Sequence, residues 1–90
     1  MKVLVVYDIT DDSLRSKVAE ILKDQGLRRI QKSAFIGELK GEERKDLEKV
    51  LCKVKLKGND RIDVFPICDR DLKLHSRISP KGVFRGEEVG

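Results

Sequence analysis

Ninety residues, 39% hydrophobic and 40% charged, carry enough apolar side chains for one small core and too many charges for a membrane protein, so one soluble domain over 1–90 is expected. The longest apolar run, Val3 to Tyr7, is far short of a membrane span and no secretory leader pattern precedes it, which predicts a cytoplasmic protein with no membrane partner. A single histidine, His75, and two cysteines, Cys52 and Cys68, exclude a zinc site with four protein ligands and leave a Ser-His-Asp or Cys-His catalyst without a framework; the cysteines read as buried free thiols.

The net charge of +4 is unevenly spread. Residues 28–40 carry four bases (Arg28, Arg29, Lys32, Lys40) against one acid (Glu38), whereas 41–60 carry six bases and five acids. The excess in this short segment suits phosphate backbones, although a solvated surface gives the same count.

The chain opens with Lys2 to Ile9, a strand apolar on both sides that carries Asp8 to its far end. Thr10-Asp11-Asp12-Ser13 offers capping side chains, and Leu14, Val18, Ile21 and Leu22 recur at helical spacing, predicting a helix from about 12 to 25 that stops at Gly26. Leu27 to Leu39 is too mixed for a long helix and reads as one bent strand or two short ones, broken near Lys32-Ser33. A second helix opens at Gly41-Glu42-Glu43, with Leu47, Val50, Leu51 and Val54 on one stripe, and ends near Lys57-Gly58-Asn59. Arg61 to Cys68 is a strand that Pro66 confines to a sheet edge or places near its own end.

This order fits an α+β fold, a ferredoxin-like βαββαβ sandwich with a core over about 1–68. The sheet face turned away from the helices has to be covered, and the two-sided apolar first strand predicts a homodimer. In 69–90, Ser79-Pro80-Lys81-Gly82 is a turn and Val83-Phe84 a short C-terminal strand that adds to a sheet edge of its own subunit or its partner; the last four residues are expected to fray.

Alternation puts Tyr7 and Asp8 on opposite faces and gives Asp8 the side of Leu4 and Val6, the expected dimer side. Two Asp8 carboxylates meeting across a twofold axis would share a proton or hold a divalent ion, and Mg2+ suits a site with one or two carboxylates. The alternative is that Asp8 caps the first helix. Arg15 can lean back toward the strand end or pair with Asp11 or Asp12, Ser33 can position a phosphate or satisfy local backbone, and Phe35 is either core or a base-stacking platform.

Tyr7-Asp8-Ile9 closing an apolar strand, Arg15 in the next helix, Gly26 after it, and Arg29-Ile30-Gln31-Lys32-Ser33-Ala34-Phe35 beyond resemble the small CRISPR-associated endoribonuclease family that partners the spacer-acquisition integrase in antiviral defence. The resemblance spans at least residues 2–68. It implies a ferredoxin-like homodimer with Asp8 near the dimer axis binding magnesium, and an activity on single-stranded RNA or double-stranded DNA. It also implies a second possibility, a non-catalytic bridge that holds spacer DNA between integrase dimers. By residue match, Tyr7, Asp8, Arg15, Arg29 and Phe35 take the family's functional positions. Lys17 stands where some relatives have a second helix arginine, and Ala34 where a larger aliphatic residue is common.

Two functions are therefore expected. In one, Asp8 supports the metal, Tyr7, Arg15 and Ser33 complete a catalytic set, and Arg28, Arg29, Lys32 and Phe35 bind nucleic acid. In the other, Arg28, Arg29 and Lys32 of a dimer bind duplex phosphates as a scaffold. A small-molecule regulatory domain would need a glycine-rich loop, for which Gly37 and Gly41 are too isolated.

Overall fold

The first strand, β1 (Lys2–Asp8), alternates as a half-buried strand must: Val3, Val5 and Tyr7 are buried, whereas Leu4, Val6 and Asp8 point to the opposite face. The computed structural model to which it belongs describes residues 1–86. The expected fraying of the last four residues lies outside the described residues.

Helix α1 (Asp12–Asp24) starts where Asp11 accepts the Leu14 amide at 2.9 Å. It stops in a Schellman motif: Leu27 N donates to Leu22 O at 3.1 Å and Gly26 N to Lys23 O at 2.9 Å, with Gly26 at φ 86°. Leu22 and Leu27, the apolar pair that closes the motif, are both buried. Two short strands follow, β2 (Arg28–Gln31) and β3 (Ala34–Glu38), with a register shift between Arg29 and Gln31. They are separated at Lys32-Ser33, as the sequence predicts.

Helix α2 (Gly41–Cys52) opens with the Glu43 carboxylate accepting the Lys40 amide at 2.8 Å. It ends at Cys52, short of the predicted Lys57-Gly58-Asn59. The last turn tightens as Lys53 N and Val54 N bond to the carbonyls three residues back, which turns Val54 into the core. Val50, expected on the buried stripe, is 37% exposed; Leu47, Leu51 and Val54 carry the packing.

Strand β4 (Arg61–Ile67) completes a sheet of order β2-β3-β1-β4 in which every neighbouring pair is antiparallel. The βαββαβ order and this sheet are the expected ferredoxin-like arrangement. β4 lies at the edge, where Pro66 costs no ladder bond on the outer side.

Val18, Ala19 and Leu22 of α1 and Leu47 and Leu51 of α2 pack against Val3, Val5, Tyr7 and Phe35, so both helices cover one face. Each fully buried Val, Leu or Phe contributes about 1.5–3 kcal/mol by removal from water. The other face carries Leu4, Val6, Ala34, Ile36 and Phe65, with Val6 36% and Phe65 47% exposed.

Beyond the sheet, a short helix α3 (Asp69–Lys73) that the sequence reading lacked leads into a hairpin of β5 (Ser76–Ser79) and β6 (Gly82–Arg85). The turn falls at Pro80-Lys81, inside the predicted Ser79–Gly82 turn, but the strand containing Val83 and Phe84 pairs with β5 in a separate two-stranded sheet rather than adding to the main sheet's edge in this chain. Cys52 and Cys68 are free as expected but exposed rather than buried: Cys52 is the last residue of α2, and Cys68 precedes α3, where its Sγ accepts the Asp71 amide at 3.4 Å. No helix among the described residues is long and apolar enough to cross a membrane.

Candidate nucleic-acid and metal site

The C-terminal end of β1 is where the chemistry gathers. Tyr7 N donates to Ser33 O at 3.0 Å, which joins the β2–β3 turn to the end of the central strand. Ser33 thus serves local backbone through its carbonyl; its hydroxyl makes no hydrogen bond among the described residues. Arg15, one turn into α1, does both things its sequence position allows: Nη1 donates to the Ile9 and Thr10 carbonyls, each at 3.1 Å, and Nη2 pairs with Asp12. These contacts fix the loop that follows Asp8.

On the helix side, Tyr7, Asp12, Arg15, Ser16, Arg29 and Lys32 line one concave pocket. A buried aromatic pair lies beneath it. The Tyr7 and Phe35 rings stack with centroids 6.3 Å apart, and the Arg29 guanidinium lies over Phe35 at 5.0 Å from the ring centre. A cation over a ring face gains about 0.5–1 kcal/mol at an exposed site, enough to bias the rotamer of Arg29 and hold its charge at the pocket rim. Arg29 and Lys32 remain exposed, so their charges can meet phosphate oxygens without a large desolvation cost.

Two sequence expectations change here. Phe35 is fully buried, so it cannot stack a base; it supports Arg29 from beneath instead. Arg28, grouped with Arg29 and Lys32 as one patch, pairs with Ile36 while Arg29 pairs with Phe35, so the two arginines point to opposite sheet faces. The patch is Arg29 and Lys32, with Arg28 on the far side. Ser16 was not anticipated. Its signal lay in the spacing, since residues 12, 15 and 16 share one flank of a helix.

On the open face, Asp8 stands at the end of the strip formed by Leu4 and Val6, with Arg61 of β4 opposite it in register. The helix-capping alternative fails, because Asp11 takes that role. The Asp11 carboxyl is held below the usual aspartate range, first by the Leu14 amide, with smaller help from the Ser13 amide and the Lys57 charge. The Asp8 carboxylate is exposed and makes no hydrogen bond or ion pair among the described residues. As a hard oxygen donor it fits Mg2+, which needs only one or two protein carboxylates and keeps several waters. Among the described residues one chain offers no group of three His, Cys, Asp or Glu able to hold a metal, so a magnesium ion here would rest on one or two carboxylates and water. His75, between α3 and β5, leaves its buried Nδ1 without a hydrogen-bond partner and takes no part in this site.

Comparison with known proteins agrees with this arrangement. Residues 1–74 match the family described as CRISPR associated protein Cas2. The chain is 67% identical over 86 residues to the CRISPR-associated endoribonuclease Cas2 of Korarchaeum cryptofilum, covering 96% of this chain and 92% of that protein. It is 41% identical over 81 residues to the CRISPR-associated endonuclease Cas1/endonuclease Cas2 fusion of Thermoproteus tenax, covering 90% of this chain and 31% of the fused protein. Among solved structures, Streptococcus pyogenes Cas2 superposes with a TM-score of 0.67 at 26% identity, covering 76% of this chain and 87% of that one. With a family match over residues 1–74 and 67% identity to a relative covered over 92% of its length, the chain belongs to the CRISPR-associated Cas2 family.

Proposed function

We propose that this CRISPR-associated nuclease is a magnesium-dependent endonuclease that hydrolyses phosphodiester bonds in single-stranded RNA or double-stranded DNA during spacer acquisition, acting as a cytoplasmic homodimer. Asp8 carries the reading: an exposed carboxylate with no partner among the described residues, at the end of a strip formed by Leu4 and Val6. Burying Leu4, Val6 and Phe65 against the same strip of a second copy brings two such carboxylates together. The β5–β6 hairpin supports the dimer too, since a two-stranded sheet is marginal alone and its cross-strand pair Ile78 and Val83 is 81% and 54% exposed. A partner's sheet edge is a natural cover.

Bound magnesium lowers the pKa of water and offsets negative charge on the phosphate. Asp8 from each chain would hold the ion. Arg29 and Lys32 bind phosphate charge from the helix side, and Arg15 keeps the loop after β1 in place by bonding its carbonyls. Tyr7, stacked on Phe35, is a positioning residue, and the Ser33 hydroxyl is available to a substrate oxygen.

The second reading, a dimeric scaffold for duplex spacer DNA that bridges integrase subunits, is favoured by one observation: the Arg29-Lys32 pocket is complete within one chain and owes nothing to Asp8. The Cas1-Cas2 fusion supports partnership with Cas1 under either reading.

The experiment is a panel of single-stranded RNA, single-stranded DNA and duplex DNA with magnesium or EDTA, for wild type and Asp8→Ala. Loss of cleavage with binding retained is expected for Asp8→Ala. Magnesium-dependent cleavage by purified Asp8→Ala protein would remove the catalytic assignment, and its absence from wild type would leave the scaffold.

A further inference from the structure

Residues 41–60 look nearly neutral when read along the chain, yet their charges are unevenly placed. In α2 the acids Glu42, Glu43, Asp46 and Glu48 are nearly balanced by Arg44, Lys45 and Lys49, whereas Lys53, Lys55 and Lys57 all lie in the connection between α2 and β4, where Asp60 is the one acid. That connection is docked against the start of α1. Asp60 accepts the Thr10 amide through Oδ1 and the Lys57 amide through Oδ2, each at 3.1 Å, and Asp60 N returns a bond to Lys57 O at 2.9 Å. The result is a concave pocket lined by Lys17, Lys53, Lys55 and Lys57 together with Asp11, Ser13 and Leu14.

The acids nearby are already occupied. Asp11 caps α1 through the Leu14 amide, and both Asp60 oxygens accept backbone amides. All four lysines are exposed, and none forms an ion pair among the described residues. Four like charges held around one hollow repel one another, and a polyanion relieves that repulsion.

Position indicates which polyanion. The first turns of α1 have a basic pocket on each flank: Asp12, Arg15 and Ser16 line the one shared with Arg29 and Lys32, and Ser13, Leu14 and Lys17 line the one shared with the three connection lysines. Basic pockets therefore lie on both sides of the first turns of α1, with Asp12 lining one and Asp11 the other. Single strands are gripped by exposed aromatic platforms as well as by charge, and neither pocket has one, because Tyr7 is only 4% exposed and Phe65 lies on the opposite face. Lysines without stacking rings suit the regular phosphates of a duplex.

We propose that the pocket of Lys17, Lys53, Lys55 and Lys57 is a second phosphate-binding surface, on which duplex DNA held at Arg29 and Lys32 continues across α1. The inference rests on the nucleic-acid reading above and adds a contact that does not involve Asp8. It predicts affinity without sequence preference from this side of the molecule.

The test is the salt dependence of binding to a duplex long enough to cross both pockets. It compares wild type, Lys53→Gln/Lys55→Gln/Lys57→Gln and Arg29→Ala/Lys32→Ala, with thermal melts to confirm folding. Each lost phosphate contact removes about 0.9 from the slope of log affinity against log salt. The lysine variant should therefore lose roughly 2–3 from the slope, and its affinity should fall roughly 40-fold less than that of wild type between about 50 and 200 mM salt. An unchanged slope in the lysine variant, with a reduced one in Arg29→Ala/Lys32→Ala, overturns the inference, leaves the nucleic-acid reading standing and points to an acidic protein face as the occupant. Failure of wild type to bind duplex at all overturns both.

Discussion

Tyr7 and Asp8 are neighbours in the chain, yet the two faces of β1 that they occupy differ in completeness. The helix face is finished within one chain: core side chains fill it, Phe35 supports Arg29, and Arg15 fixes the adjoining loop. The open face presents an apolar strip and one carboxylate without a partner among the described residues. A binding function can thus belong to a single chain, while the metal-dependent function proposed for the open face would draw its second carboxylate from a second copy. The division gives a physical reason why a family of this fold can be read both as a scaffold and as a nuclease.

The division can be broken from the helix side first. Phe35→Ala removes a fully buried ring and should cost about 3–5 kcal/mol, lowering Tm by well over ten degrees, with Arg29 losing its support. Calorimetry checks it, and a wild-type melt would show that the helix face does not depend on this ring. Gly37→Ala should come next, at about 1–3 kcal/mol. An added Cβ there would collide with the Leu27 side chain and lie 3.1 Å from the Leu27 Cα, where Leu27 closes the α1 stop; denaturant melts measure the cost. The smallest effect on folding belongs to the open face. Phe65→Lys, at a position 47% exposed, should leave the melt of the isolated chain nearly unchanged but shift sedimentation from about twice the chain mass toward one. A monomeric wild type would remove the shared carboxylate site.

Much of this division was legible in the sequence. The alternation of Val3, Val5 and Tyr7 against Leu4, Val6 and Asp8, the start and stop of α1, and the break at Lys32-Ser33 each follow from local side-chain chemistry. The same alternation separates Arg28 from Arg29, although a count of charges along the segment joins them. The overlong second helix shows where local pattern loses to tertiary structure: Val54 keeps helical spacing but reaches the core from a tightened turn, and Asp60 draws the following residues toward Thr10, fifty positions away. Helix α3 has five residues and none buried, so no apolar periodicity marks it. The hairpin leaves Ile78 and Val83 in solvent, so burial pattern cannot reveal its pairing. The lysine pocket could not be read linearly, because its members come from α1 and from a connection brought beside it only by folding.

Metal stoichiometry separates the half-built face from the finished one. Mn2+ prefers the same oxygen ligands as magnesium and can be counted by electron paramagnetic resonance. Wild-type protein should bind about one ion per two chains and Asp8→Asn none, with duplex affinity at the helix face intact. One ion per chain, or an undiminished count in Asp8→Asn, would contradict a site built from two Asp8 carboxylates.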